Sequence, residues 1–160
     1  MLKSKKVIFL VILVLVFLGL NGCSQKGRFY NDYSTIVSQS NHYTYWGRRA
    51  SMEGSKAKIE YNRFSGTDEL WDIESKDNGF ITFDYFSDVK SGKFKCVLIS
   101  PDNDIKTIFE LSGEGVKTLE IEDGSSRVKI VGSNASGEFE ISVTTEGSIE
   151  VKPSYRFRDD

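Results

Sequence analysis

The chain has 160 residues, with 21 lysines and arginines against 23 aspartates and glutamates, and a formal net charge of −2. This length is ample for one domain and short for two. The slightly acidic net charge argues against a nucleic-acid-binding protein, which would need a basic patch. Two cysteines give no disulfide framework, so the fold must rest on a hydrophobic core.

The first 22 residues have the composition of an export signal. Three lysines lie within residues 1–6, and residues 7–20 are fourteen uncharged, mostly aliphatic residues. As a helix this run would be about 21 Å long, shorter than the roughly 30 Å hydrocarbon core of a bilayer. It therefore predicts a signal peptide and not a permanent span, with the lysines left on the cytoplasmic side and the rest of the chain exported.

A cysteine follows this run directly. Leu20-Asn21-Gly22-Cys23 resembles the lipobox of bacterial lipoproteins, although that family usually has Ala or Ser where Asn21 stands. The resemblance implies that residues 1–22 are a lipoprotein signal peptide and that a diacylglyceryl group is attached to the Cys23 thiol. Two or three acyl chains hold a protein stably in a bilayer. We therefore expect an extracytoplasmic, lipid-anchored protein of the cell membrane; the alternative is an ordinary cysteine beside a signal anchor.

Residues 23–41 are mostly polar and have no clear period. They predict a tether that holds the domain off the bilayer, with a short helix over residues 33–39 as the alternative. Without residues 1–22 the chain would keep 138 residues and a net charge of about −5.

The hydrophobic period is two over residues 42–153, as in residues 57–61, 94–98 and 139–143. Such alternation is typical of half-buried antiparallel strands. Segments rich in Gly, Asn, Asp and Ser separate the strands, for example at residues 65–68, 90–92 and 134–137, and read as turns. Eight to ten strands at this spacing predict an all-β fold, an antiparallel β-sandwich of jelly-roll-like type, with a C-terminal tail at 154–160.

One predicted strand is apolar on both faces. Residues 79–86, GFITFDYF, therefore predict a central strand that is covered on each side.

Residues 109–143, FELSGEGVKTLEIEDGSSRVKIVGSNASGEFEISV, combine glycine turns with alternating strands. From residue 79 to residue 144 the chain resembles small bacterial surface lipoproteins whose sandwich domains have a similar succession of hairpins. Proteins of this type mostly have no assigned activity. The resemblance therefore implies a fold and a surface location, and it transfers no functional residue.

The densest aromatic and cationic group lies at the start of the predicted domain. Aromatic faces can stack on sugar rings and arginine can bind anionic polymers, which makes this group a candidate ligand-binding site. The alternative is that the two tyrosines pack in the core while the arginines are solvated. The group consists of Tyr43, Tyr45, Trp46, Arg48 and Arg49.

Other candidate sites are weaker. Asp102 and Asp104 could offer oxygens to Ca²⁺, but Pro-Asp-Asn-Asp is equally typical of a hairpin turn. Cys96 shares a face with core residues and is predicted to be buried. His42, the single histidine, has neither a nucleophile elbow nor a CxxC motif beside it, so the sequence predicts no catalytic triad, no zinc site and no cofactor.

Together these features predict a non-enzymatic, lipid-anchored binding or interaction module at the cell envelope. Its partners would be the membrane, through the lipid, and an envelope polysaccharide or protein, but not nucleic acid. Two other classes stay open: a hydrolase of envelope polymers that uses carboxylates, and a structural assembly protein that pairs through an edge strand.

Overall fold

The computed structural model describes residues 29–154, so the predicted signal peptide, Cys23 and the end of the predicted tail lie outside the described residues. Within residues 29–154 no helix is long and apolar enough to cross a membrane. A short 3₁₀ helix (Phe29–Asn31) and helix α1 (Tyr33–Val37) precede eight strands: β1 (His42–Thr44), β2 (Gly47–Glu53), β3 (Lys56–Ser75), β4 (Gly79–Ile99), β5 (Ile105–Glu110), β6 (Gly113–Ile121), β7 (Gly124–Thr145) and β8 (Ile149–Pro153).

Three long strands, β3, β7 and β4, lie side by side and pass through both layers of a sandwich. All strand pairs are antiparallel. Layer 1 contains β2, the first halves of β3 and β4, the second half of β7, and β6. Layer 2 contains β8, the second halves of β3 and β4, the first half of β7, and β5. The predicted antiparallel β-sandwich is confirmed.

The long strands bend where they pass from one layer to the other. The β3–β7 ladder shifts register around Gly66, and the β4–β7 ladder shifts register around Gly92. Both glycines have positive φ, 114° and 77°. A Cβ on Gly66 would lie 1.8 Å from the carbonyl oxygen of His42, so this position requires glycine. Such bulges bend a strand and increase its twist.

The prediction that residues 65–68, 90–92 and 134–137 are turns between strands is therefore wrong. Each segment lies inside one long strand, at the bend between the layers. The same residue types serve both purposes, because glycine and asparagine supply positive φ at a bulge as readily as at a turn. The described part of the chain thus has eight strands, three of them 20 to 22 residues long.

The main core fills the space between the two layers and is rich in aromatic rings. Tyr61 of layer 1 stacks on Phe94 of layer 2 with ring centroids 4.5 Å apart, and Phe94 lies 5.4 Å from Phe139. The Trp71 indole N–H donates to the Gly54 carbonyl oxygen at 2.9 Å, which satisfies its polar atom inside the core. Cys96 is fully buried in the same cluster, as predicted.

The strand over residues 79–86 is central in the sheet, between β6 and β7, but it is covered on one face alone. Ile81 and Phe83 are fully buried, whereas Phe80 and Phe86 on the other face are 56% and 42% exposed. The prediction that both faces are covered is therefore wrong, because no element within residues 29–154 packs over the outer face of layer 1 here.

The N-terminal segment covers the outer face of layer 2 instead. Tyr30 and Ile36 are buried against Val97, Ile99 and Val131, which form a second, smaller core. The helix that was the alternative to a free tether is present at Tyr33–Val37. The described part of the predicted tether is thus packed on the sheet.

Candidate ligand-binding face

The outward surface of layer 1, called the open face below, has no covering element among the described residues, and Phe80, Phe86 and Val116 are exposed on it. Antiparallel register places Glu140 of β7 and Glu114 of β6 directly across from Phe86 of β4, one on each side. The next row along β4 places Asp84 between Ser142 and Val116. Side chains that alternate along each strand therefore meet as rows across the sheet.

A groove of about 800 Å³ runs over these rows and is called the open groove. Two exposed apolar side chains line it, Phe86 and Val116, the latter 67% exposed. Exposed apolar side chains in a concave, polar-rimmed site are typical of binding surfaces. The polar rim consists of Ser51, Glu53, Lys56, Lys58, Asp84, Glu114, Glu140 and Ser142.

The open groove is net acidic. Four carboxylates and two lysines line it. Lys58 forms an ion pair with Glu140, on the neighbouring strand, and this hydrogen bond is the main reason why the Lys58 pKa is raised. The pairing leaves one lysine against three carboxylates, so the field of the groove favours neutral or cationic ligands over anionic ones.

A second cavity of about 770 Å³, the bend pocket, adjoins the open groove where β3 and β7 separate. Tyr61 lines it, is only 4% exposed, and has a hydroxyl without a hydrogen-bond partner among the described residues. Burial is the main cause that raises the Tyr61 pKa, so this hydroxyl stays protonated and can donate. Glu60 and Glu138 face the bend pocket from the same two strands that supply Lys58 and Glu140 to the open groove.

The structure divides the predicted aromatic and cationic group between the surface and the interior. Trp46 is 77% exposed and its ring lies 4.1 Å beneath the Arg63 guanidinium. Arg49 is exposed and pairs with Glu60 at 2.9 Å on the open face. Tyr43 is half-buried against the main core. The group therefore does not form one site.

Tyr45 and Arg48 point inward and meet Asp68. The Tyr45 hydroxyl donates to Asp68 Oδ2 at 2.9 Å, and Arg48 Nη1 lies 3.9 Å from the same oxygen. The Tyr45 ring also stacks on Phe64 with centroids 4.6 Å apart. Burial raises the pKa of the Asp68 carboxyl, and the Arg48 charge opposes that rise. Burial, with the nearby Asp68 charge, likewise raises the Tyr45 pKa. Tyr45 and Arg48 thus lie at the edge of the core, in contact with Asp68.

Asp102 and Asp104 lie in an exposed loop between β4 and β5. The loop is closed by backbone bonds between Ser100 and Asp104 and between Asn103 and Ser100, each 2.9 Å. Asn103 has a φ of 66° and its side chain accepts from Arg127 at 3.4 Å. Within residues 29–154 no group of three or more His, Cys, Asp or Glu side chains is placed to hold a metal ion. The geometry is that of the turn given as the alternative.

His42 is exposed on β1 and lines a cavity of about 460 Å³ with Phe29, Tyr43 and Thr44.

The sequence analysis did not predict the open face, because the alternation over residues 79–86 does not reveal whether the outer surface of a strand is covered. The signal was present as Phe80 and Phe86, two residues of one face that are aromatic where solvated strands usually carry polar side chains.

Comparisons with known proteins assign no family to this chain. No protein-family model matches the chain, and no curated protein matches it in sequence. A mutant family 29 carbohydrate-binding module solved with mannohexaose has a TM-score of 0.39 at 14% identity, over 71% of this chain and 82% of that chain. A second mutant, solved with cellulohexaose, has 0.38 at 14% identity, over 74% and 89%.

A family 35 module, solved with a disaccharide that contains glucuronic acid, has a TM-score of 0.38 at 13% identity, over 72% of this chain and 85% of that chain. At this low similarity these structures do not indicate the function of this chain.

Proposed function

We propose that this chain is a lipid-anchored, extracytoplasmic binding protein of the bacterial cell surface, and that its open face binds an envelope polysaccharide. The lipobox-like sequence ending at Cys23 supports the anchor. The observation that carries the binding function is the exposed Phe86 ring in the open groove, between carboxylates on both neighbouring strands.

The chemistry of the open groove suits a sugar chain. A flat aromatic ring on a sheet offers a stacking surface for the apolar face of a sugar, while Asp84, Glu114 and Glu140 accept hydrogen bonds from hydroxyl or amino groups. An extended polymer also fits an open face better than a closed cavity would. The acidic balance of the groove disfavours strongly anionic polymers, in contrast to the prediction built on Arg48 and Arg49.

The binding function is tested with the full chain, purified in detergent and applied to an array of bacterial wall and capsular glycans. Phe86→Ala should weaken binding by roughly two- to tenfold, the equivalent of about 0.5–1.5 kcal/mol for one aromatic contact. Phe80→Ala is the matched control, because Phe80 is exposed on the same face of the same strand but lies outside the open groove.

Equal loss in both variants, or no retained glycan at all, would contradict binding in the open groove. Release of new reducing ends without stable retention would support the alternative of a hydrolase that uses the groove carboxylates.

The anchor is tested separately by Cys23→Ala. We expect the unaltered chain to fractionate with membranes and to carry a diacylglyceryl thioether in its mass spectrum. The variant should lose that mass and keep its signal peptide. A variant that stays processed, with unchanged mobility, would show that Cys23 is not the site of lipid attachment.

A further inference from the structure

The N-terminal segment is held on the outer face of layer 2 by charged hydrogen bonds at its C-terminal end. Arg127 Nη2 donates to the Val37 carbonyl at 2.9 Å and Arg127 Nη1 donates to the Ser38 carbonyl at 3.0 Å. The fully buried Lys129 also donates to the Ser38 carbonyl. Carbonyls at the end of a helix lack internal partners, so two cations from β7 satisfy them.

Apolar burial holds the other end of the segment. Tyr30 and Ile36 are 3% and 2% exposed. The Tyr30 hydroxyl donates to Glu110 at 2.8 Å, and the Lys95 ammonium lies 4.5 Å over the Tyr30 ring. Contacts from β4, β5 and β7 therefore fix residues 30–38 to one place on the sheet.

This docking sets how far the sandwich can stand from a lipid on Cys23. A chain extends by at most about 3.3–3.6 Å per residue. Six residue steps separate Cys23 from Phe29, so the reach from the lipidated sulfur to the docked segment is at most roughly 20 Å. If residues 29–41 were free, nineteen steps to His42 would allow roughly 65 Å.

The segment enters the sandwich at one end. Phe29 lines a cavity together with Thr44 and Ser65, beside the bend in β3. The opposite end of layer 2 carries the turn between β3 and β4, around Asp77. About ten residues of β3 separate the two ends, which corresponds to roughly 30 Å at about 3.3 Å per residue.

We propose that residues 29–38 are a fixed connector that keeps the bend end of the sandwich within about 20 Å of the lipid surface. The partner of this end is the headgroup region of the bilayer, because the short reach keeps Phe29 near it in every orientation of the sandwich, whereas the turn end, roughly 30 Å away along β3, is free to move away from it. The connector occupies layer 2, so the open face on layer 1 stays uncovered and available to a polymer. This inference rests on the proposed lipidation of Cys23.

The test places a fluorophore at either end of the lipidated full chain in phosphatidylcholine vesicles that carry a headgroup nitroxide quencher. Thr44→Cys marks the bend end and Asp77→Cys marks the turn end, and both positions are exposed. The buried Cys96 does not compete for the label, since burial raises its pKa. We expect at least twofold stronger quenching at position 44 than at position 77.

The connector is released by Ile36→Asp, which places a charge in the small apolar core. Asn31→Asp is the matched control, because it adds the same charge at an exposed position of the connector. Arg127→Gln removes the charged hydrogen bonds from Arg127 to the Val37 and Ser38 carbonyls, while the bond from Lys129 remains. Ile36→Asp and Arg127→Gln should reduce the difference between the two positions, and Asn31→Asp should keep it. Far-UV circular dichroism checks that the sheet is intact in each variant.

Two results separate the proposals. A chain without attached lipid in its mass spectrum overturns the anchor itself. A lipidated chain that shows equal quenching at both positions, or an unchanged difference in both release variants, overturns the fixed connector and leaves the anchor standing.

Discussion

Gly132 in β7 is a position where one added methyl group should disturb the centre of the fold. A Cβ there would lie 2.2 Å from Cδ1 and 2.7 Å from Cε1 of Phe64. Phe64 is fully buried, with Tyr45 stacked against it at 4.6 Å, so its ring has no free space to move into. An aromatic ring that lies across a strand glycine is a recognised device in sheets, and here it packs the bend of β3 onto β7.

We expect Gly132→Ala to lower the free energy of unfolding by about 1–3 kcal/mol, the usual cost of overpacking a core. The smaller entropy of the unfolded chain with alanine offsets about 0.4–1 kcal/mol of the clash. Urea unfolding of the detergent-solubilised full chain, followed by tryptophan fluorescence, measures the change. The midpoint should fall with the slope unchanged.

Gly113→Ala is the matched control, because a Cβ there meets nothing within 4 Å. It should change stability by less than about 0.5 kcal/mol. The double variant with Gly132→Ala and Phe64→Leu should lose less free energy of unfolding than the sum of the losses in the two single variants. We expect a coupling energy of at least about 0.5 kcal/mol. Strict additivity, or a Gly132→Ala variant as stable as the unaltered chain, would refute the steric reasoning.

Three further predictions follow from burial and charge. Cys96 should resist maleimide until the chain unfolds, because burial raises the pKa of its thiol; rapid labelling of the native chain would contradict this. Arg48→Ala should destabilise the chain by about 1–3 kcal/mol, because the buried Asp68 carboxylate loses its nearest cation and keeps the Tyr45 hydroxyl, whereas Arg49→Ala, at an exposed ion pair, should change stability by less than about 1 kcal/mol in the same urea assay. Burial, then a nearby aspartate, raises the pKa of Glu69 to about 7 from 4.5, so the folded state keeps a proton that the unfolded chain releases. Stability should therefore fall as the pH rises from about 4.5 to 7, and Glu69→Gln should flatten that fall.

Alternation along the chain was enough to predict the antiparallel sandwich, because a strand with one dry and one wet face has a period of two wherever it lies in the sheet. It was not enough to separate a turn from a bend. Gly66 and Gly92 have the residue types and positive φ that a turn requires, yet the chain continues in the same strand beyond each of them. Pairing with β7 on both sides of the bend decides the outcome, and single-strand patterns do not contain that information.

The docked N-terminal segment was equally hard to predict. Tyr30 and Ile36 are six residues apart in a polar stretch and show no helical or strand period. Their burial depends on Val97, Ile99 and Val131, which are distant in sequence and form an apolar outer surface on layer 2. Likewise, the inward position of Arg48 depends on Asp68, a buried carboxylate that the sequence pattern gave no reason to expect.

A comparison of the two halves of β4 explains which outer face is covered. Residues 96–99, Cys-Val-Leu-Ile, have no polar side chain on either face, and both faces are buried. Residues 79–86 carry apolar side chains on both faces too, here mostly aromatic ones. Thr82 and Asp84 lie on the outer face, however, and that face remains exposed. A polar residue in the outer row can be covered only where it gains a partner. Lys129 of layer 2 is buried with the Ser38 carbonyl as its acceptor, whereas burying Asp84 without a partner would cost more than the neighbouring apolar contacts return. The layer 2 half of the sheet is thus occupied by the connector, and the layer 1 half keeps aromatic and acidic side chains together in solvent, the combination on which the proposed binding of a sugar chain depends.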